Sequence, residues 1–152
     1  MYFSRLQSTL NEFDIPMNLI IFEITESAFM ENPGEMIQAI NKMKKMGFVL
    51  SIDDFGSGYS SFNLLKDMPV DELKIDRGFL ETKDGSNRNE FIVEKIVQMA
   101  HGLKAKVVCE GVETEDQVNF LKGVYCDVAQ GYFYSKPMPI EQYNDYLKQF
   151  NL

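Results

Sequence analysis

The sequence has no tryptophan, one histidine, two cysteines and few basic residues. Cys109 and Cys126 are too few for a disulfide framework and have no metal-binding spacing, so we expect two buried thiols in a reducing cytoplasm. Lysine and arginine number 15 against 23 aspartates and glutamates, a net charge of -8. This deficit argues against binding to a DNA or RNA duplex, which needs a basic surface.

Long apolar runs are also missing. A membrane-spanning helix needs about 20 mainly apolar residues, and no stretch approaches that length, so no membrane segment is expected. The stretch 1–16 carries charge and lacks the apolar core of a secretory signal. We therefore expect a cytoplasmic protein.

The composition that remains, 45% hydrophobic and 25% charged over 152 residues, is typical of one globular domain. Short runs rich in Val, Ile, Leu and Phe predict strands over 18–25, 48–53, 72–76, 106–110 and 125–134. Apolar residues at helical spacing predict helices over 3–13, 33–46, 61–66, 89–102, 115–123 and 140–150. A helix followed by five βα units predicts either an open doubly wound sheet or part of a (β/α)8 barrel. A complete barrel takes roughly 250 residues, so the barrel would be partial.

Polar side chains follow each predicted strand in turn. They are Glu23 and Glu26, Asp53 and Asp54, Lys74 and Asp76, Glu110 and Glu113, and Gln130. The carboxyl ends of parallel strands form one rim of a sheet, where α/β enzymes place their active sites. We therefore expect these side chains to converge, although Glu26, Asp76 and Glu113 could equally hold loops in place.

Asp53 and Asp54 are the sharpest local feature. Adjacent carboxylates at the end of a buried strand repel one another unless a cation binds, and side chains pointing in different directions could bridge two ions. Lys74 could orient a nucleophilic water or neutralise charge, or it could simply form an ion pair with Asp76 or an acid of a neighbouring strand. His101 follows a helical stripe and is expected at a helix end. Carboxylate ligands suit Mg²⁺ or Mn²⁺ and predict metal-assisted attack of water on a phosphate ester.

Four stretches then occur in a familiar order and spacing: EITES, DDFGSGYSSFNLLKDMPVDELKIDRGFL, CEGVET and QGYFYSKPMP. Together they resemble the EAL domain family of bacterial cyclic di-GMP phosphodiesterases, from about residue 3 to the end of the chain. The resemblance implies an α/β fold, an incomplete TIM-like (β/α)8 barrel of about five βα units. It implies hydrolysis of cyclic di-GMP to the linear dinucleotide pGpG with Mg²⁺ or Mn²⁺.

The resemblance also implies roles for individual residues. It implies metal-binding roles for Glu23, Asp53, Asp54 and Asp76, with Asp53 bridging two ions. It implies catalytic roles for Lys74, which would orient the attacking water, and for Glu110, which would serve the second metal or its water. It implies substrate-lining or loop-supporting roles for Glu26, Glu113 and Gln130. Ser57 replaces a more usual threonine.

One departure from the family is large, because the Glu-Ala-Leu signature and the next strand, with its metal-binding asparagine, are absent from the sequence. Residues 1–152 would therefore correspond to the C-terminal portion of an EAL domain, with impaired catalysis and with open barrel edges that favour self-association. The alternative is a non-catalytic, degenerate EAL module for nucleotide sensing or protein interaction. A flavodoxin-like receiver domain does not fit, since its acid pair follows the first strand.

Overall fold

The computed structural model describes residues 2–56, 65, 66, 68–81 and 87–150, apart from the side chains of residues 2–4, 26 and 30. Five parallel strands form one sheet in the order β1-β2-β3-β4-β5. They are β1 (Ile21–Thr25), β2 (Val49–Phe55), β3 (Glu72–Ile75), β4 (Lys106–Cys109) and β5 (Val128–Ala129). The helices are α1 (Tyr2–Glu12), α2 (Glu26–Glu31), α3 (Pro33–Lys45), α4 (Arg88–Gly102), α5 (Glu115–Gly123) and α6 (Ile140–Lys148).

The strand order decides between the two architectures left open by the sequence. Each strand pairs with the next one along the chain, whereas a doubly wound sheet reverses its order at a switch point. The sheet is therefore barrel-like. Ile52, Leu73 and Val107 occupy successive paired positions in β2, β3 and β4 and are completely buried. Burial of both sheet faces explains why these strands are nearly continuous apolar runs.

Most predicted elements are confirmed, with differences at their ends. The first strand begins at Ile21 because Met17–Leu19 forms a 3-10 helix. The helix Glu26–Glu31 was not predicted, and it begins there because the Thr25 hydroxyl accepts a hydrogen bond from Ala28 N at 3.3 Å. The fifth strand has only two residues. The predicted helix over 61–66 lies mainly outside the described residues.

Helix ends follow the signals in the sequence. Pro33 occupies the first turn of α3, and Gly47 follows that helix with a φ of +90°, as expected for a left-handed C-terminal stop. Thr114 and Gln117 form a capping box at the start of α5. Within the described part of the chain, no helix is both long and apolar enough to cross a membrane.

Both cysteines are free thiols, but only Cys109 is buried as expected, and Cys126 is half-buried. Cys109 is completely buried in β4, and burial, followed by the nearby Cys126 and Glu110, raises the pKa of its thiol to about 12. Burial also raises the pKa of Cys126. Both therefore remain protonated at neutral pH and are poor nucleophiles.

Asp71 connects three elements at the amino-terminal end of the sheet. It directly precedes β3, and its Oδ2 accepts a hydrogen bond from Leu50 N of β2 at 2.9 Å. The same carboxylate forms an ion pair with Lys44 in the last turn of α3. One side chain thus ties a helix end to two neighbouring strands.

Asp127 repeats this arrangement two strands later along the chain. It directly precedes β5, and its Oδ2 accepts hydrogen bonds from Val107 N of β4 and from His101 Nε2, both at 2.8 Å. His101 lies in the last turn of α4, as the sequence predicted. Burial alone would raise the pKa of Asp127, but the bonds from His101 and Val107 outweigh it and lower that pKa.

Replacing Asp127 with asparagine tests this connection. Because folding lowers the pKa of Asp127, its contribution to stability is present above the unfolded pKa of about 3.9 and is lost as the pH falls through the folded pKa. We expect D127N to cost about 1 kcal/mol at pH 7, with the difference from wild type shrinking below about pH 4. Urea unfolding at several pH values measures this difference. D145N is the control, because the Asp145–Lys148 pair is exposed; an equal loss in both variants would contradict the prediction.

Candidate metal-binding active site

Lys74 lies at the centre of the carboxyl-terminal rim of the sheet. Its ammonium group donates to Asp53 Oδ1 at 2.8 Å and lies 2.8 Å from Glu110 Oε1 and 2.9 Å from Glu23 Oε1. The three acids belong to or follow β2, β4 and β1, so the predicted convergence of strand-end residues occurs around this lysine. Of the two structural alternatives for Lys74, the ion pair is with acids of other strands, and Asp76 is not its partner.

The charge state of Lys74 limits what it can do. Burial alone would lower its pKa, but hydrogen bonds to Asp53, Glu110 and Glu23 raise it well above the ordinary value. The side chain is therefore a permanent ammonium ion at neutral pH. It can orient an oxygen atom or neutralise negative charge, and it cannot serve as a general base.

A bulge at the end of β2 shapes the acid pair. The register between β2 and β3 shifts between Ile52 and Phe55, and Asp54 has a φ of +53°, which residues other than glycine rarely adopt. In a regular strand the two aspartates would face opposite sides of the sheet. The bulge re-orients the two side chains, so that a carboxylate oxygen of Asp53 can lie close to one of Asp54.

Asp53, Asp54 and Glu110 offer one carboxylate oxygen each, and these three atoms lie within 4.8 Å of one another. All three residues are half-buried. Oxygen donors of this type, partly removed from water, suit a hard divalent cation such as Mg²⁺ or Mn²⁺. The donor set therefore fits the metal that the sequence predicted.

The remaining predicted residues lie around this cluster. Glu23 is about half exposed and joins it through Lys74. Asp76 accepts a hydrogen bond from Gly78 N at 2.9 Å and begins a 3-10 helix, Arg77–Leu80, which is the loop-holding role considered above. Glu26 begins α2, and its side chain lies outside the described part, as does Ser57.

A cavity of about 360 Å³ opens beside the three carboxylates. It is lined by Asp54, Asp76, Arg77, Glu110, Gly111, Glu113, Gln130, Gly131 and Tyr132. Glu113 and Gln130 thus lie where site-lining residues were expected. A second cavity of about 290 Å³ shares Gln130, Gly131 and Tyr132 with the first and is otherwise bounded by residues 135–138 and by two tyrosines of α6.

Close backbone contacts hold the walls of the cavity together. An ideal Cβ on Gly131 would lie 2.1 Å from Val112 O, so only glycine allows the two loops after β4 and β5 to touch. Gln117 Oε1 accepts hydrogen bonds from Glu113 N at 2.8 Å and Thr114 N at 3.1 Å. The sequence analysis did not identify Gly131 as a wall-forming residue. Its place directly after Gln130, at a strand end, is the signal that could have indicated it.

Arg77 is a further cavity residue that the sequence analysis did not select, as are Gly111 and Tyr132. It follows Asp76 directly, and its Cα and Cβ pack against Gly111. An arginine beside a strand-end acid is common on protein surfaces, so the sequence alone offered no reason to select it.

Comparisons with known proteins agree with this architecture. The family model "EAL domain" matches residues 2–137. Cyclic di-GMP phosphodiesterase NbdA from Pseudomonas aeruginosa is 41% identical over 146 residues, which is 96% of this chain and 19% of NbdA. The chain thus spans about a fifth of that relative's length.

Two solved structures extend the comparison. A solved structure of the PaMucR phosphodiesterase in complex with c-di-GMP is 39% identical, with a TM-score of 0.82, over 90% of this chain and 56% of that one. A manganese and cyclic di-GMP complex of Klebsiella pneumoniae BlrP1 is 28% identical, with a TM-score of 0.82, over 88% of this chain and 34% of that one. The predicted partial barrel is confirmed. With its family-model match over most of its length, the chain belongs to the EAL domain family.

Proposed function

We propose that this domain takes part in metal-dependent hydrolysis of cyclic di-GMP to pGpG. The observation that carries the proposal is the cluster around Lys74, whose ammonium group contacts Asp53 and Glu110. Three carboxylate oxygens of this cluster lie within 4.8 Å of one another, beside a cavity that Asp54 and Glu110 line. Support also comes from relatives named as cyclic di-GMP phosphodiesterases and from the manganese complex of BlrP1.

Asp53, Asp54 and Glu110 would hold Mg²⁺ or Mn²⁺, and Glu23 would serve as a further ligand. A bound divalent ion would lower the pKa of a water and offset the charge that develops on the phosphate. Lys74 is a fixed cation, so its donors can orient an attacking oxygen and stabilise negative charge next to Asp53. We also propose that Asp76 lies near the bound metal and that Glu26 supports a loop, as the family resemblance implies.

The proposed activity of residues 1–152 on their own is weak. The Glu-Ala-Leu motif, from which the family resemblance draws a further metal ligand, is absent from the sequence. The carboxylates present should still bind a cation, because their number and spacing do not depend on that motif. We place this reaction in the cytoplasm, and self-association through the sheet edges stays a prediction that light scattering can test.

Replacing Asp53 with asparagine tests the metal site. Loss of the carboxylate at the centre of the cluster should weaken Mn²⁺ binding at least about tenfold by calorimetry. D14N is a matched control, because Asp14 lies in an exposed turn with a φ of +52°, which asparagine adopts readily. Unchanged Mn²⁺ affinity in D53N would overturn the assignment.

Chromatographic detection of pGpG after incubation with cyclic di-GMP and Mn²⁺ tests the reaction. Product from the wild type that disappears in D53N supports catalysis. Binding of Mn²⁺ and cyclic di-GMP without product would favour the alternative, a non-catalytic nucleotide-sensing module.

A further inference from the structure

Arg77 lies at the junction of two cavities on the active-site rim. It lines the cavity of about 360 Å³ beside the carboxylates and a smaller one of about 120 Å³ bounded by Leu80, Glu81 and Gln117. The residue is exposed. Among the described residues, no hydrogen bond or ion pair involves the Arg77 side chain. Its guanidinium group is therefore available to a ligand.

The charge of the larger cavity makes this availability significant. Apart from Arg77, the acidic and basic side chains that line this cavity are four carboxylates: Asp54, Asp76, Glu110 and Glu113. Lys74 cannot offset them for a ligand, because its three donors already face three acids. An anionic ligand in the cavity therefore has one free protein cation to meet among the described lining residues, which is Arg77.

Gly111 determines where the arginine side chain begins. Gly111 has a φ of +69°, and an ideal Cβ there would lie 2.3 Å from Arg77 Cβ and 3.3 Å from Arg77 Cα. The loop after β4 thus rests directly on the first carbons of Arg77 and holds them at the cavity wall. The outer bonds of the side chain stay free to rotate, so the guanidinium group can adjust to a ligand.

We propose that Arg77 binds one phosphate group of cyclic di-GMP. The contact would lie on the side of the cavity away from the Asp53–Asp54–Glu110 cluster. This inference rests on the proposed function, since a ligand with two phosphates would present one to the cluster and leave the other without a counter-ion. The planar guanidinium fork matches two phosphate oxygens, which a lysine ammonium cannot do. Arg77 is thus a substrate-binding residue that sets affinity for anionic ligands.

The test measures cyclic di-GMP binding by calorimetry in the presence of Ca²⁺, the ion of a second BlrP1 complex with this ligand. R77Q should weaken binding about 10-fold to 100-fold, and R77K should recover part of the loss. R88Q is the matched control, because Arg88 is an exposed arginine at the start of α4, and it should bind as the wild type does. Mn²⁺ affinity, measured without nucleotide, should be unchanged in R77Q.

A second variant and a salt series complete the test. G111A should also weaken nucleotide binding, because its Cβ must displace Arg77. Binding to R77Q should depend less on NaCl concentration than binding to the wild type, since a charge contact has been removed. An unchanged salt dependence would indicate a contact with a guanine edge and overturn the phosphate assignment.

The outcomes separate this inference from the proposed function. Equal cyclic di-GMP affinity in R77Q and wild type overturns the role of Arg77 and leaves the metal site intact. A wild type that binds Mn²⁺ but no cyclic di-GMP overturns both the role of Arg77 and the proposed function. Failure of the wild type to bind Mn²⁺ contradicts the proposed function itself.

Discussion

Replacing Lys74 with methionine is expected to destabilise the domain by about 3 kcal/mol at neutral pH. The methionine keeps the length and packing of the side chain but removes the ammonium group that lies within 2.9 Å of Glu23, Asp53 and Glu110. Three carboxylates would then face one another without a cation in a partly desolvated site. Differential scanning calorimetry should record the loss as a lower unfolding midpoint.

A divalent cation should reverse part of this loss. Mn²⁺ at about 100 times its dissociation constant stabilises a folded protein by about 2.7 kcal/mol. In the wild type a bound cation would share Asp53 and Glu110 with Lys74, whereas in K74M it would meet their full negative charge. We therefore expect Mn²⁺ to raise the midpoint of K74M more than that of the wild type, while any turnover of cyclic di-GMP falls at least about 100-fold.

K95M is the matched control for this variant. Lys95 is exposed on α4 and pairs with Glu94, which is a surface contact. Such pairs contribute at most about 1 kcal/mol, so K95M should unfold near the wild-type midpoint with the same Mn²⁺ response. If K74M matched K95M in stability and in its response to Mn²⁺, Lys74 would not be the counter-ion of the acidic cluster.

Replacing Gly131 with alanine is expected to cost at least about 3 kcal/mol. The added Cβ would lie 2.1 Å from Val112 O and 2.3 Å from Val112 N, which are backbone atoms and cannot rotate away. Val112 N donates to Gln130 O at 3.0 Å, and Val112 O accepts from Phe133 N at 2.9 Å. Separating the two loops would break both bonds and displace the cavity wall. We therefore expect a lower free energy of unfolding in urea and weaker binding of cyclic di-GMP.

G123A provides the opposite case. Gly123 ends α5, and an added Cβ there would meet no atom within 4 Å. Alanine has the higher helix propensity, so this variant should be stabilised by up to about 1 kcal/mol. Comparable stability of G131A and G123A would show that the loops after β4 and β5 can separate at little cost.

Most secondary-structure elements of this protein, and its fold class, can be predicted from the amino-acid sequence. Short runs rich in apolar residues, such as 48–53, predict strands buried on both faces, because only covered parallel strands need no polar side. Pro33, Gly47 and Thr114 mark helix ends through local backbone chemistry, which acts over a few residues. The placement of Asp53, Lys74 and Glu110 at strand ends also indicated a common rim, because the carboxyl ends of parallel strands lie at one edge of the sheet. Local patterns missed α2, because its start depends on one hydroxyl of Thr25.

How the strand-end residues meet depends on contacts between distant parts of the chain. Whether the sheet is barrel-like depends on which strands pair, and pairing joins residues far apart along the chain. The bulge at Asp53 and Asp54 arises from the register between β2 and β3, so the sequence suggested diverging carboxylates where the fold brings their oxygens together. Lys74 could have had several acid partners, and the neighbouring strands selected three of them. Gly111 packs against Arg77 and so determines its position. This contact joins two loops that are far apart in the sequence, so no local spacing of residues could predict it.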